Sequence, residues 1–422
     1  MLIKRPEYLK QLLAYKDMDL VKIVTGVRRA GKSTLFDLYI AELLKMGVSQ
    51  NQIQMIKLEE LENEPLREYH ALHEHIKSRL VPGKKNYVFL DEIQVVEGFG
   101  KVVDSLFIKG VDIYLTGSNS KMLSTDLANQ IERQKVTIHM FPLSFKEYVS
   151  GYPQNPMVET IDQVFASYLR YSSFPKTVEI LGNRLNRDKT GGLFTFNTQD
   201  QEYINSQVRS YLSDIYDKIV LRDIVSNKNI PDVGRLTDVL RFMADNIGKS
   251  TSIKRITDTM TSGGRKIDGR TVEKYVDAFC DSFILYKADR FDVKGKELLK
   301  TQNKYYMVDM GLRHFVLGDK MADSGHMLEN VVYLELLRRG YTVNIGKVGD
   351  KEVDFVARKG NTVEYCQVSD TIRDKDTFAR EIASLEAIND HNPKFILTRD
   401  YDTANHKGIK IQNVLEWLIG QE

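Results

Sequence analysis

The hydrophobic pattern of the chain changes period several times, and each change predicts an element. Val21-Lys-Ile-Val-Thr25 is rich in β-branched residues and predicts a strand. From Ser33 to Leu44 the apolar positions Leu35, Leu38, Tyr39 and Leu43 recur at helical spacing. Ile53–Lys57, Asn86–Ile93 and Val111–Gly117 are further strand-like runs, and residues 1–20 read as a short helix leading into the first strand. Alternation of strands and helices over 21–150 predicts a doubly wound parallel sheet. Near-continuous apolar runs suit strands buried on both faces, and the Asn86–Ile93 run is expected to neighbour the Val21–Thr25 strand.

From 151 to about 228 the pattern turns helical, broken by a turn at Tyr168–Pro175 and by a polar stretch from Gly191 to Asp200. Glu202–Ser226 reads as one long amphipathic helix or two. Residues 232–292 have the rhythm of a winged helix. Helices are predicted at Arg235–Ile247 and Ser252–Met260, and a third is capped by Asp268 or Thr271. Phe283–Phe291 is then a strand leading to a wing around Gly295. The last third predicts a helix, three strands, a helix at about 376–390 and a strand at Lys394–Thr398: an αβββαβ core.

Charge and cysteine content narrow the classes. The 422 residues carry a formal net charge of +2, so no overall field draws the chain to nucleic acid or membrane, and any basic surface is local. One such cluster is Lys254, Arg255, Arg265, Lys266, Arg270 and Lys274 in the winged-helix stretch. It suits phosphate contacts; use of the same helices for packing or oligomerisation fits the pattern equally. Cys280 and Cys366 lie far apart, which argues against disulfide or zinc frameworks and for a reducing compartment. The N-terminus has no signal-peptide pattern, and no apolar run approaches the ~20 residues of a membrane span. A cytoplasmic protein without a membrane partner is expected.

The densest chemistry is Gly26-Val-Arg-Arg-Ala-Gly-Lys-Ser33, a complete P-loop between a predicted strand and a predicted helix. Gly26, Arg28, Arg29, Ala30, Gly31, Lys32, Ser33 and Thr34 form the candidate nucleotide cradle, because backbone N–H groups converge there at a helix N-terminus. Lys32 would reach the β- and γ-phosphates, and Ser33 would ligate Mg²⁺. Asp91, ending the apolar run, would hold the same ion through water. Glu92 follows where it could orient or activate the attacking water. Asn119, with Ser118 close behind, is the candidate γ-phosphate sensor after the third strand; a plain turn is the competing reading. No Asn-Lys-x-Asp guanine-reading segment follows Asp91.

Gly26–Thr34, Leu90-Asp-Glu-Ile-Gln94, Leu115-Thr-Gly-Ser-Asn119 and Phe141-Pro-Leu-Ser-Phe-Lys-Glu-Tyr148 together resemble one family. It is the prokaryotic AAA-type P-loop ATPases with a winged-helix middle and a C-terminal restriction-endonuclease-like domain of unknown function. The resemblance covers nearly the whole chain. It implies an ATPase domain at 1–150, a helical linker or lid at 151–230, a winged helix at 231–322 and a PD-(D/E)XK-like domain at 323–422. ATP and Mg²⁺ are the implied cofactors, nucleic acid the expected partner, and assembly into a homo-oligomer a further expectation.

Two departures from the family pattern bear on activity. Relatives commonly carry a Gly-Arg pair before the Pro-Leu-Ser-Phe segment, whereas this chain reads Ala128-Asn-Gln-Ile-Glu-Arg-Gln-Lys135, so either Arg133 substitutes from one place earlier or the arginine contact is absent. Active nucleases of the implied type use a helix Glu, a strand Asp and a Glu/Asp-x-Lys on the next strand. Here Glu329 and Asp354 match, but Gln367-Val-Ser369 replaces the last element, and Lys351 or Glu364 would have to migrate into the site. A neutral amide weakens a hard-cation site. The expectation is an ATP-binding protein, a Mg²⁺-dependent ATPase working as a nucleotide-driven switch on nucleic acid, with Glu329, Asp354 and Gln367 a vestigial nuclease site. An ATP-regulated nuclease and a non-enzymatic ATP-dependent scaffold with a protein partner stand as alternatives.

Overall fold

The structure is a computed structural model, described here for residues 3–119, 135–152, 160–185, 198–226, 230–318 and 324–420. The chain forms two compact units. One is Leu2–Pro142 with Asp281–Phe283; the other is Leu143–Cys280 with Ile284–Glu422.

The first unit is built on a five-stranded sheet of β1 (Val21–Thr25), β2 (Ile53–Lys57), β3 (Tyr87–Asp91), β4 (Asp112–Gly117) and β5 (Lys135–His139), in the order β2-β3-β4-β1-β5. All pairings are parallel. Alternate residues of each strand feed two cores. Ile23, Val88, Leu90, Ile113 and Leu115 face one, with Val102 and Leu106 of the Phe99–Ile108 helix. Val24, Phe89 and Tyr114 face the other, with Leu35, Phe36 and Tyr39 of the Lys32–Lys45 helix. Period-2 alternation between two apolar layers is why these strands read as nearly unbroken apolar runs.

The expectation that the Asp91 strand neighbours the P-loop strand is corrected. β4 lies between them, pairing β1 through Val24↔Thr116 and β3 through Leu90↔Leu115. The sheet order depends on pairings between distant segments, which no local run encodes. The registers bring Thr25, Asp91 and Thr116 to one edge, the carboxyl ends of the strands, where open α/β sheets bind ligands.

In the second unit, helices at Phe145–Gly151 and Ile161–Tyr171 both begin with capping boxes, Ser144 with Glu147 and Thr160 with Gln163. The turn after the second is pinned from a distance. Asp309 Oδ2 accepts from Ser173 N at 2.7 Å and Ser173 Oγ at 2.6 Å, while Asp309 Oδ1 caps the Met310–Leu317 helix at Leu312 N. The Thr198–Asp217 helix continues as a wider π-type turn over Lys218–Ser226. Helices Val233–Asp245, Ile253–Ser262 and Gly269–Asp281 follow, the last with Asp268 accepting from Thr271 N at 3.0 Å.

The sheet of this unit is mixed and eight-stranded. Its strands are β6 (Leu285–Asp292), β7 (Glu297–Met307), β8 (Thr342–Val348), β9 (Lys351–Lys359), β10 (Thr362–Ser369), β11 (Lys394–Thr398), β12 (Ala404–His406) and β13 (Ile409–Asn413), ordered β12-β13-β11-β10-β9-β8-β6-β7. Two expectations change here. The β6–β7 hairpin, expected as a strand leading to a wing around Gly295, is also one end of this sheet through the parallel β6–β8 pairing. The αβββαβ core also gains β12, β13 and a closing helix, Val414–Ile419. The Ser324–Arg338 helix is buried along nearly all its length, which explains its apolar residues on every face.

Candidate nucleotide-binding site

The P-loop runs from the end of β1 to the N-terminus of the Lys32–Lys45 helix, and its glycines have specific reasons. Gly26 has φ 147°, and a Cβ there would lie 2.0 Å from the Met140 carbonyl oxygen. Gly31 has φ 102° in the residue before the helix. Only glycine adopts these conformations without strain. Arg5 was missed in the sequence, yet it braces the loop from outside: Nη1 donates to Ala30 O at 3.1 Å and Nη2 to Phe141 O at 2.8 Å.

Lys32 is 4% exposed. Its ammonium donates to the carbonyls of Gly26 at 3.0 Å and Val27 at 3.3 Å and lies 3.4 Å from Glu92 Oε1. Ser33 Oγ donates to Asp91 Oδ2 at 2.7 Å. Thr116 Oγ1 donates to Asp91 Oδ1 at 2.6 Å and accepts from Glu92 N at 2.8 Å. One hydroxyl on the intervening strand therefore fixes the Asp91 carboxylate and the Glu92 backbone. The signal for Thr116 was present, a hydroxyl inside the Leu115–Asn119 segment, but its reach to β3 depends on the strand order.

Glu92 sits at φ 54°, a left-handed conformation that turns its side chain back toward Lys32. Its other oxygen accepts from Gln94 Nε2, which also reaches Ser118 Oγ at 3.3 Å. Burial pushes the Glu92 carboxyl up, but the Lys32 charge and the Gln94 hydrogen bond outweigh it and hold the group below its usual range. Asp91 goes the other way. Burial raises it above the ordinary carboxylate value despite hydrogen bonds from Thr116 and Ser33.

The remaining cradle positions diverge. Arg28 is turned onto Glu59, with Nη1–Oε2 at 2.9 Å and Nη2–Oε1 at 2.7 Å. Arg29 is exposed at φ 69°, and Thr34 is exposed on the helix. Asn119 is buried at the end of β4, next to Ser118. Arg133 and most of the Ala128–Lys135 stretch lie outside the described residues. Ser33 and Asp91 supply adjacent hard oxygens, the donor chemistry Mg²⁺ takes, and the open backbone of the loop matches a phosphate chain.

The structure also gathers the C-terminal candidates. Asp354 N donates to Gln367 Oε1 at 2.7 Å, and Gln367 Nε2 donates to Glu381 Oε2 at 2.6 Å. Val368 N donates to Asp354 Oδ2 at 2.9 Å. Glu329 accepts from Tyr306 OH at 2.7 Å and from Lys304 Nζ at 2.9 Å. Burial raises the Glu329 carboxyl, but the Lys304 charge with bonds from His326 and Tyr306 brings it below its usual range. Burial and the Glu329 charge push Asp354 above its own. Lys304 and Glu381 were missed. Lys351 is exposed at the start of β9, and Glu364, on the opposite face of β10 from Gln367, accepts from Tyr341 OH at 3.1 Å, so neither migrates into the cluster.

This geometry on a parallel five-stranded sheet defines a P-loop NTPase domain of the AAA class. The comparisons agree: residues 19–149 match the family described as AAA domain, and residues 197–323 match a domain of unknown function (DUF8612). An uncharacterized protein of Haemophilus influenzae is 34% identical over 99% of both chains, and the present chain belongs to its family. An uncharacterized protein of Methanocaldococcus jannaschii, MJ1544, is 28% identical over 90% of this chain and 82% of its own. Among solved structures, the Walker-type ATPase PABY2304 of Pyrococcus abyssi superposes with a TM-score of 0.51 at 15% identity. The match covers 75% of this chain and 96% of that one, a likeness of fold. No helix among the described residues is long and apolar enough to cross a membrane.

Proposed function

We propose that the protein is a Mg²⁺-dependent ATPase whose nucleotide cycle acts as a switch. The observation that carries this reading is the hydrogen-bonded set Lys32, Ser33, Asp91, Thr116 and Glu92 at one sheet edge. Lys32 and the loop N–H groups would hold the phosphates, and Ser33 and Asp91 would hold Mg²⁺, which supplies charge neutralisation when bound. Glu92 is the base that would orient a water. In the present arrangement it is tied to Lys32, and a phosphate that draws the ammonium away would release it. Ser118 and Asn119 are the polar groups at the end of β4 that would read the γ-phosphate.

Nucleic acid is the proposed partner. Lys254, Arg255, Arg265, Lys266, Arg270 and Lys274 are all exposed on the helices at 253–262 and 269–281 and the turn between them, which we read as a winged helix joined to its sheet. Such a cationic face favours phosphate contacts. The test is ATP turnover by wild type and Lys32→Ala, alone and with single-stranded DNA, duplex DNA or RNA. Turnover that needs Lys32 and rises with one nucleic acid supports both steps. Turnover that needs Lys32 and ignores all three retains the ATPase and transfers the switch to a protein partner or a self-assembled scaffold. Turnover indifferent to Lys32 overturns the ATPase reading.

A further inference from the structure

One charged cluster in the second unit is built around a buried lysine. Lys304 projects from β7 and is 4% exposed. Its ammonium lies 2.9 Å from Glu329 Oε1, 2.9 Å from Glu352 Oε1 and 3.9 Å from Asp354 Oδ1. These carboxylates come from the Ser324–Arg338 helix and from β9, so three acids from two elements converge on one cation. An ammonium carries three protons and no acceptor, and three carboxylate neighbours answer its charge.

The remaining valences are largely taken up. Tyr306 OH donates to the same Glu329 oxygen, and His326 Nδ1 stands 3.3 Å from Glu329 Oε2. Asp354 Oδ2 accepts from Val368 N. Arg290 Nη2 is 3.7 Å from Glu352 Oε2. Gln367, at the position where a further anionic ligand would be needed, has its oxygen on Asp354 N and its amide nitrogen on Glu381. A divalent metal needs several charged oxygens with open lone pairs. Among the described residues no group of three or more His, Cys, Asp or Glu is disposed to hold one. The metal that a nuclease-like fold implies does not fit the residues present.

We infer that Lys304 is the built-in cation of this pocket: its ammonium stands where a divalent metal would be held, and the C-terminal core keeps its three acids together without one. The lysine neutralises the cluster and at the same time closes it to a metal-bound phosphodiester. Removing the lysine leaves the acids facing one another across a vacated position, and a divalent cation is the species that restores the balance. One side chain on β7 thus fills the position that the three carboxylates surround.

The test counts Mn²⁺ bound per chain by electron paramagnetic resonance. It uses the full-length, nucleotide-free protein carrying Asp91→Asn to remove the P-loop contribution. With Lys304 intact, no Mn²⁺ that depends on Asp354 is expected. Lys304→Ala is expected to gain one Mn²⁺, lost again in Lys304→Ala/Asp354→Asn. Asp354-dependent Mn²⁺ in protein with Lys304 intact overturns the inference, as does a folded Lys304→Ala variant with no gain. If Lys304→Ala unfolds in chelator, recovery of its far-ultraviolet circular dichroism on adding Mn²⁺ supports the inference, and failure to recover overturns it.

Discussion

Lys32 and Lys304 are both buried lysines that face acids, and they are opposite devices. Lys32 lies against two neutral carbonyls, with one carboxylate at 3.4 Å. Lys304 has carboxylates at 2.9, 2.9 and 3.9 Å. The positive charge of Lys32 is incompletely answered, at a helix N-terminus that itself favours anions. The positive charge of Lys304 is answered by the carboxylates around it, which leaves none of it for an arriving phosphate. A lysine near carboxylates is therefore no signature by itself. What distinguishes a phosphate-binding lysine from a structural one is how much of its charge the protein has already neutralised.

Removing each lysine breaks the comparison in different currencies. Lys304→Ala leaves the buried Glu329 and the partly buried Asp354 without their cation, and loss of one partner from a buried ion cluster costs up to about 3–5 kcal/mol. Urea unfolding in chelator should show that loss as a lower midpoint with an unchanged slope. A loss under about 1 kcal/mol would mean that the acids are solvated rather than held by the lysine.

Lys32→Ala should cost less stability by comparison, because one carboxylate, Glu92 at 3.4 Å, loses its cation and Gln94 still donates to it. Its effect falls on turnover. Deleting a preorganised positive group aimed at developing phosphate charge lowers the rate by about 10²–10³-fold. Steady-state phosphate release measures it. A stability loss as large as that of Lys304→Ala, with little change in rate, would erase the distinction between the two sites.

The two sites were not equally legible. The P-loop is contiguous, and a strand period before it and a helix period after it frame its eight residues. Asp91 and Glu92 end an apolar run, so their place at a strand terminus followed from the run alone. The position of β4 between β1 and β3 did not follow, because strand order is decided by distant pairing. That omission hid Thr116. Glu329 and Asp354 were singled out only through the family resemblance, which implies an acid on the helix and another on the strand. Lys304 was not, since Lys300-Thr-Gln-Asn-Lys304 has the polarity of a solvated loop. Only the pairing of β6 with β8 turns that hairpin into part of the sheet and buries the lysine.

Thr116 sharpens the account of the first site. Thr116→Val keeps the β-branched shape and removes the hydroxyl, leaving Asp91 Oδ1 and Glu92 N without their shared partner. A lost buried hydrogen bond to a charged group costs about 1.5–3 kcal/mol. Turnover should drop by about 10-fold, with a higher Mg²⁺ requirement, as Asp91 loses its fixed orientation. Titrating Mg²⁺ in the turnover assay separates this from a general loss of fold, which would lower the rate without shifting the requirement.

Arg28 is the intermediate case, a cation paired with Glu59 and partly open to water. Its bidentate pair with Glu59 has side chains 11% and 27% exposed, and pairs of this kind contribute about 0.2–1 kcal/mol. Glu59→Gln releases the guanidinium while leaving Arg28 in the loop, four residues before Lys32. If the degree of neutralisation decides which cations serve phosphate, the released Arg28 should tighten ATP binding about 2–5-fold, within that energy range. The gain should shrink with added salt and vanish in Glu59→Gln/Arg28→Ala. Fluorescent-nucleotide titration at two ionic strengths measures both. Weaker binding in Glu59→Gln would mean that the pair holds the loop in shape, which would place Arg28 with Lys304 rather than with Lys32.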